Sequence, residues 1–245
     1  MILYVNGDSN SAGAEAVNSY CFAEDDPLYW GLGRQPHPDN LRVSYGCELA
    51  NLIGAVLECG AESASSNARI IRTTQEYLKE HTPDLIIIGW STWEREEWLH
   101  EGTYYQVTAS GQDSVPPVFA ERYRDYVLQQ DFITREAKML EWHKRIFQLH
   151  QELNERDIPH VFFNCYSDFG AIKRSEITTH NTATPAYEWG DSYVEPYNQN
   201  MAYYYWLQNS GFKTVNPKSY HFGADAHSAW ANFLYQNYIQ KLLTS

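Results

Sequence analysis

Ser9 stands in Gly7-Asp8-Ser9-Asn10-Ser11, close behind the apolar run Ile2-Leu3-Tyr4-Val5, while His221 and His227 lie six residues apart near the other end of the chain. A serine at a strand-to-helix turn among small residues can expose its hydroxyl and offer its own backbone N–H to a developing oxyanion. An imidazole within reach would take the hydroxyl proton and make the oxygen an acyl-transfer nucleophile. Asp and Ser after a strand are also ordinary turn and N-cap residues, so the tripeptide gains meaning from the elements that position it.

Those elements read as strands alternating with helices. Ile2 to Val5 reads as a buried strand stopped by Asn6-Gly7. Tyr45, Leu49, Leu52, Ile53 and Val56 recur at helical spacing, and Val56-Leu57-Glu58-Cys59 is a candidate second strand. Asn67, Ile70, Ile71, Thr74, Tyr77 and Leu78 mark an amphipathic helix, capped by Ser65 or Ser66. Leu85-Ile86-Ile87-Ile88-Gly89 is the clearest strand. Met139, Trp142, Ile146, Leu149 and Leu153 then step along a long helix, and His160 to Cys165 reads as another buried strand. Helices follow around Met201 to Leu207 and along Ala226, Trp230, Phe233, Leu234 and Tyr238.

Strands without alternation, separated by amphipathic helices, imply an α/β fold. The expectation is a three-layer α/β/α sandwich with a mostly parallel central sheet, in one domain over 1–245 with insertions at about 91–133 and 166–196. Ligands bind outside the carboxyl ends of such strands, and Ser9 falls at the first of them.

The blocks of this chain resemble, in order, those of the SGNH (GDSL-like) hydrolases. That family opens with a first strand ending in GDSxS, matched by Gly7-Asp8-Ser9-Asn10-Ser11. It closes with a catalytic His followed six residues later by His or Tyr and ten residues later by Ala; His221, His227 and Ala231 fit. The resemblance implies the SGNH, flavodoxin-like version of the sandwich, Ser9 as nucleophile and His221 as general base. Ser63-Ala64-Ser65-Ser66-Asn67 resembles the block whose glycine N–H serves the oxyanion, without the glycine. Gly89-Trp90-Ser91-Thr92 resembles the GxND block, with Ser91 in place of its Asn. The N–H of Ser9, the amide of Asn67 and the hydroxyl of Ser91 are therefore the candidate oxyanion donors.

The family's acid usually lies three residues before the catalytic His, where this chain has Lys218, and a lysine cannot orient a neutral imidazole. Three alternatives stay open. His221 works without an acid, or another carboxylate such as Asp168 reaches it, or Asp225 and His227 form the acid–base pair. Asp8, Trp90, Arg95 and Tyr166 are candidate substrate contacts, Arg95 as a clamp for a carboxylate or sulfate. Tyr166, Tyr187, Trp189, Tyr193 and Tyr197 are candidate stacking faces for sugar rings, although loop packing and homo-oligomer contacts use the same residue types.

Among 245 residues, 18 Lys and Arg face 31 Asp and Glu, a formal charge of −13. This argues against nucleic acid and anionic membranes as partners and for a neutral small-molecule or glycan ester. No basic, apolar leader opens the sequence and no apolar run nears the roughly 20 residues of a membrane span, so cytoplasmic synthesis without a signal peptide is expected. Four cysteines without a CxxC pair read as free thiols. No metal is expected: HExxH is missing, His143 and His150 lack an acidic partner in register, and His180 and Asn181 sit in a loop. Gly31-Leu32-Gly33 lies in a Pro-rich stretch rather than before a helix, so no cofactor is expected either. Two functions follow. The first is an SGNH-type serine esterase removing O-acyl (acetyl) groups from a carbohydrate or similar neutral substrate. The second is a catalytically degenerate SGNH scaffold, similar to phage-encoded versions, serving as a glycan-binding or structural virion module.

Overall fold

The computed structural model describes residues 1–19, 36–109, 115–174 and 185–243. Cys21, Gly31-Leu32-Gly33, His180 and Asn181 lie outside the described residues. In chain order the strands are β1 (Ile2–Asn6), β2 (Val56–Cys59), β3 (Leu85–Trp90), β4 (Glu96–His100), β5 (Thr103–Val107) and β6 (His160–Asn164). The helices that matter here are α1 (Pro38–Arg42), α2 (Tyr45–Ile53), α3 (Asn67–Tyr77), α4 (Ala120–Leu128), α5 (Phe132–Glu155), α6 (Gly170–Lys173), α7 (Tyr203–Asn209) and α8 (Ala224–Leu234).

Four strands form one parallel sheet in the order β2-β1-β3-β6, with Leu3 beside Leu85 and Ile88 beside Phe162. Side chains alternate between faces, and here both faces are apolar. Leu3, Val5, Leu85, Ile87, Val161 and Phe163 pack against α2, α7 and α8 through residues such as Leu49, Tyr203 and Trp230. Tyr4, Ile86, Ile88, Trp90 and Phe162 pack against α3 and α5 through Ile70, Met139, Trp142 and Ile146. The expected three-layer α/β/α sandwich is therefore present.

Local signals set the element ends. Ser66 caps α3 by accepting from the Arg69 N–H, and Asp131 caps α5 by accepting from Thr134. Gly54, at φ 64°, ends α2 in the left-handed conformation. That stop is why Val56, at helical spacing from Leu52, belongs to β2 and lies exposed instead.

The first insertion holds elements that its sequence did not disclose. β4 and β5 form an antiparallel hairpin whose turn residues Glu101 and Gly102 both have positive φ (49° and 81°). Trp98 and Val107 of the hairpin bury against Tyr123 and Tyr126 of α4. In the second insertion, Tyr187, Trp189, Tyr193 and Tyr197 pack inward. Tyr187 stacks on His143 and Phe147, Trp189 and Tyr193 are buried, and the Tyr193 hydroxyl donates to Asn164 at 2.6 Å. These four rings fill core and are not the sugar-stacking faces expected of them.

Four buried histidines, His143, His150, His160 and His227, sit neutral in the layers. His160 Nδ1 lies 2.8 Å from the Ile158 carbonyl, so this nitrogen carries the proton and Nε2 accepts from His150 Nδ1 at 2.8 Å. Burial lowers His143 and His160 to about 4 and His227 to about 3. Depressed values mean that the unfolded chain binds more protons than the folded one below about pH 6.5. Stability is then fully present above that pH and declines as pH falls toward 4, by at most about 1.4 kcal/mol per pH unit for each such histidine. Urea unfolding should show a midpoint clearly lower at pH 5.5 than at pH 7.5. A flat profile would mean that these imidazoles charge freely in the folded protein.

Candidate active site

The turn that carries Ser9 is pinned before it begins. Asn6, the last residue of β1, donates to the Ile70 carbonyl at 3.1 Å and to the Thr73 and Thr74 hydroxyls at 2.9 Å, and its Oδ1 accepts the Gly7 N–H. A Cβ on Gly7 would lie 2.1 Å from Ser11 Oγ and 2.8 Å from the Gly89 carbonyl; one on Gly89 would lie 2.7 Å from the same hydroxyl. These two glycines let the turn press against the end of β3. Beyond Gly7 the chain winds through successive turns, with Ala12 N–H bonded to Asp8 O and Ala14 N–H to Ser9 O.

This winding brings a carboxylate onto the same loop as Ser9. His221 Nε2 lies 2.8 Å from Ser9 Oγ, and His221 Nδ1 lies 2.5 Å from Glu15 Oε2. Ser219 Oγ donates to the same Glu15 oxygen at 2.5 Å and accepts from the His221 N–H at 3.0 Å. The hydrogen bonds from His221 and Ser219 hold the Glu15 carboxyl below its ordinary range. An ionised Glu15 fixes the proton of His221 on Nδ1 and leaves Nε2 to accept from Ser9. Glu15 is not among the expected acids, Asp168 and Asp225: it follows Ser9 by six residues in a Gly13-Ala14-Glu15-Ala16 stretch. Nothing in its spacing marks it as a partner of a histidine 206 positions away.

The alternatives for the base and acid are overturned by geometry. His227 is buried between Tyr45 and Tyr203, its Nδ1 facing the Tyr45 N–H and the Tyr203 hydroxyl, each at 3.3 Å. It ties α8 to the start of α2. Asp225 accepts from the Ala226 N–H at the start of α8, and Asp168 accepts from the Gly170 N–H at the start of α6. Neither carboxylate turns toward His221. Lys218 stands in a turn, its N–H on Asn216.

The expected oxyanion side chains are likewise engaged. Asn67 clamps the loop after β3 at two points, donating to Ser91 O at 3.2 Å and accepting from Ser91 N–H at 2.8 Å. The Ser91 hydroxyl donates to Asp8 Oδ2 at 3.1 Å and accepts from Arg95 at 2.9 Å. Both serve as braces of the turn rather than free donors. The segment after β2 does approach it: Glu62 N–H bonds to Gly7 O at 3.2 Å, and Ala64 adopts φ 66°, a conformation that favours glycine. Ser63 beside it has a buried hydroxyl without a partner among the described residues.

Among the candidate substrate contacts, Trp90 is fully buried against Phe162 and Asp8 is buried inside a charge pair, so neither is open to a ligand. Arg95 follows a tight turn leading into β4. Its Nη1 reaches Asp8 Oδ2 at 3.3 Å, Ser91 Oγ at 2.9 Å and Ser65 O at 3.4 Å. It therefore joins the loops after β1, β2 and β3 and neutralises Asp8, instead of standing free as an anion clamp. Tyr166, just past β6, is half-buried in a group of tyrosines. Among the described residues, no group of His, Cys, Asp and Glu has the arrangement of a metal site.

In this protein a parallel sheet in an α/β/α sandwich thus carries a hydrogen-bonded Glu15–His221–Ser9 chain beside the carboxyl end of β1. Solved structures similar to it are a carbohydrate esterase family 2 enzyme with a carbohydrate-binding domain from Corynascus thermopiles (Myceliophthora fergusii) (14% identity, TM-score 0.43, covering 98% of this chain and 66% of that one), a carbohydrate esterase described as having an active site with divergent catalytic and non-catalytic binding functions (15%, 0.45, 100% and 65%), and an acetyl xylan esterase from the rumen bacterium Butyrivibrio proteoclasticus (12%, 0.42, 98% and 64%). This chain spans just under two thirds of the length of each. At this identity and TM-score the likeness assigns no chemistry to the present chain. No family model matches it, and no curated protein matches it.

The Arg95–Asp8 pair yields a direct test. Arg95→Met leaves a buried carboxylate beside Ser9 without its counter-charge and should cost roughly 1–3 kcal/mol of stability. Adding Asp8→Asn should restore part of that loss in urea unfolding. Equal stability of Arg95→Met and the parent would show that the pair is not a brace.

Proposed function

We propose that this protein is a serine ester hydrolase of the SGNH type, acting as one domain on O-acyl groups, acetyl foremost, of a carbohydrate or similar neutral substrate. The observation that carries the reading is the chain Glu15–His221–Ser9, with 2.5 Å and 2.8 Å between successive partners. A merely retained scaffold has no need of a carboxylate, an imidazole and a serine hydroxyl hydrogen-bonded in series, and the chain therefore favours catalysis over the degenerate-module alternative.

In this mechanism His221 Nε2 takes the proton of Ser9 Oγ as the oxygen attacks the ester carbonyl. Glu15 stabilises the imidazolium that forms. The oxyanion is met by the Ser9 N–H and by N–H groups of the Ser63–Ala64 turn, where Ala64 adopts the left-handed conformation. His221 then returns the proton to the leaving alcohol. Water, deprotonated by the same nitrogen, attacks the acyl-enzyme and frees Ser9. The neutral-substrate part of the reading rests on the formal charge of −13 and on the engagement of Arg95 with Asp8, which leaves no free anion clamp there.

Hydrolysis of p-nitrophenyl acetate and acetylated xylan by the wild type, Ser9→Ala and Glu15→Gln tests this. Ser9→Ala should abolish turnover and block labelling by a phosphonate probe. Glu15→Gln, which keeps the shape but removes the charge, should lower kcat roughly 10²–10⁴-fold with little change in KM. Equal inertness of wild type and Ser9→Ala, with Ser9 unlabelled, would sink the esterase reading.

A further inference from the structure

Three rings lead away from the catalytic histidine. Tyr220, adjacent to His221 and 64% exposed, meets Tyr166 edge-on at 6.1 Å between centroids. Tyr166 in turn meets Tyr205 at 5.2 Å. Tyr166 and Tyr205 then form part of the wall of a cleft of about 570 Å³ whose other aromatic walls are Trp93 and Phe132. Trp93 follows β3, Tyr166 follows β6 and Phe132 opens α5, so the cleft lies at the carboxyl edge of the sheet past β3 and β6, and β3 is the neighbour of β1, whose end carries Ser9. Phe132 is 68% exposed, an apolar ring left in solvent at the cleft's rim.

The charges lining this cleft balance. Arg135 and Arg174 are offset by Glu136 and Asp168. Balanced charge on a strongly acidic protein gives no attraction for a polyanion, and aromatic faces beside polar groups suit a ligand with C–H faces and hydroxyls.

Resting on the esterase reading above, we infer that the row Tyr220–Tyr166–Tyr205 and the cleft beyond it form an extended subsite for the alcohol half of the ester, a neutral oligosaccharide of several sugar residues. The acyl group sits at Ser9, and the glycan runs from the leaving oxygen past Tyr220 over Tyr166 into the cleft. A small ester reaches Ser9 without using this row, so chain length of the glycan becomes a determinant of rate.

The test compares acetylated xylo-oligosaccharides of increasing length with p-nitrophenyl acetate on wild type, Tyr166→Ala and Tyr166→Phe. In the wild type kcat/KM should rise with length relative to the small ester. Tyr166→Ala should lower that ratio roughly tenfold, about 1.4 kcal/mol of binding, and Tyr166→Phe, which keeps the ring, should largely restore it. A second measurement does not need turnover: Ser9→Ala protein titrated calorimetrically with unacetylated xylo-oligosaccharide should bind, and Ser9→Ala/Tyr166→Ala should bind more weakly. No length dependence in the wild type, an unchanged ratio in Tyr166→Ala, or tighter binding of an oligogalacturonate than of the neutral chain would each overturn the subsite. Loss of turnover in every protein with binding intact would instead overturn the esterase reading and leave the cleft standing.

Discussion

A neutral imidazole has one proton and two nitrogens, and a serine beside it is activated only if the proton stays on the far one. In this protein that choice is made by Glu15. Its carboxylate, fixed by His221 Nδ1 and by the Ser219 hydroxyl, holds the tautomer in which Nε2 faces Ser9. Glu15 adopts φ 61°, a left-handed conformation that costs a non-glycine residue about 1 kcal/mol, and the hydrogen-bonded turns of the loop from Asp8 to Ala16 sustain it. Ser9 and Glu15 thus share one short loop, and the imidazole reaches them from the segment just before α8. The site closes when α8 docks on α2, a contact secured by His227 between Tyr45 and Tyr203.

The loop itself depends on close approach. Gly7 and Gly89 bring the end of β1 against the end of β3 with Ser11 Oγ between them, held by the Tyr45 hydroxyl at 2.7 Å. On the other side of the turn, Asp8 is buried and requires a cation; Arg95 supplies it and also gathers Ser91 and Ser65. A polar pair at that depth contributes little net stability against an apolar alternative, but it fixes the relative position of the loops after β1, β2 and β3. The deeper layer, Cys165, has its thiol pushed well above the ordinary range by burial and by the neighbouring Asp8 carboxylate, so it packs as an inert apolar group.

Much of this was legible in the residues. Uninterrupted apolar runs such as Leu85 to Ile88 read as strands buried on both faces because each face has its own helical layer. Ser9 and His221 were legible as a candidate pair because the two end blocks of the chain resemble those of the SGNH hydrolases. Glu15 was not. Its role comes from a loop closure spanning most of the chain, and local sequence carries no trace of such a contact. The hairpin Glu96–His100/Thr103–Val107 was hidden for a different reason: Glu101-Gly102 is a weaker turn signal than Asn-Gly, and the charged and aromatic residues of both strands blur the alternation. Tyr187, Trp189, Tyr193 and Tyr197 read as ligand faces because composition cannot distinguish an aromatic that lines a loop from one that fills a core.

The two flanks of Ser9 therefore differ in kind. Toward Arg95 lie paired polar groups: Asn67 with Ser91, Ser91 with Asp8, and Arg95 Nη1 with the loops around it. Toward Tyr220 the nearest side chains are tyrosine rings, and the charges come only in the cleft beyond them, where Arg135 and Arg174 offset Glu136 and Asp168. A substrate entering from the first side would have to break ion pairs and desolvate charges, at several kcal/mol for each unpaired group. One entering from the second displaces water from aromatic carbon. On the esterase reading proposed above, that asymmetry orients the ester, with the bulk of the substrate over the tyrosines and the reacting carbonyl toward the braced loops.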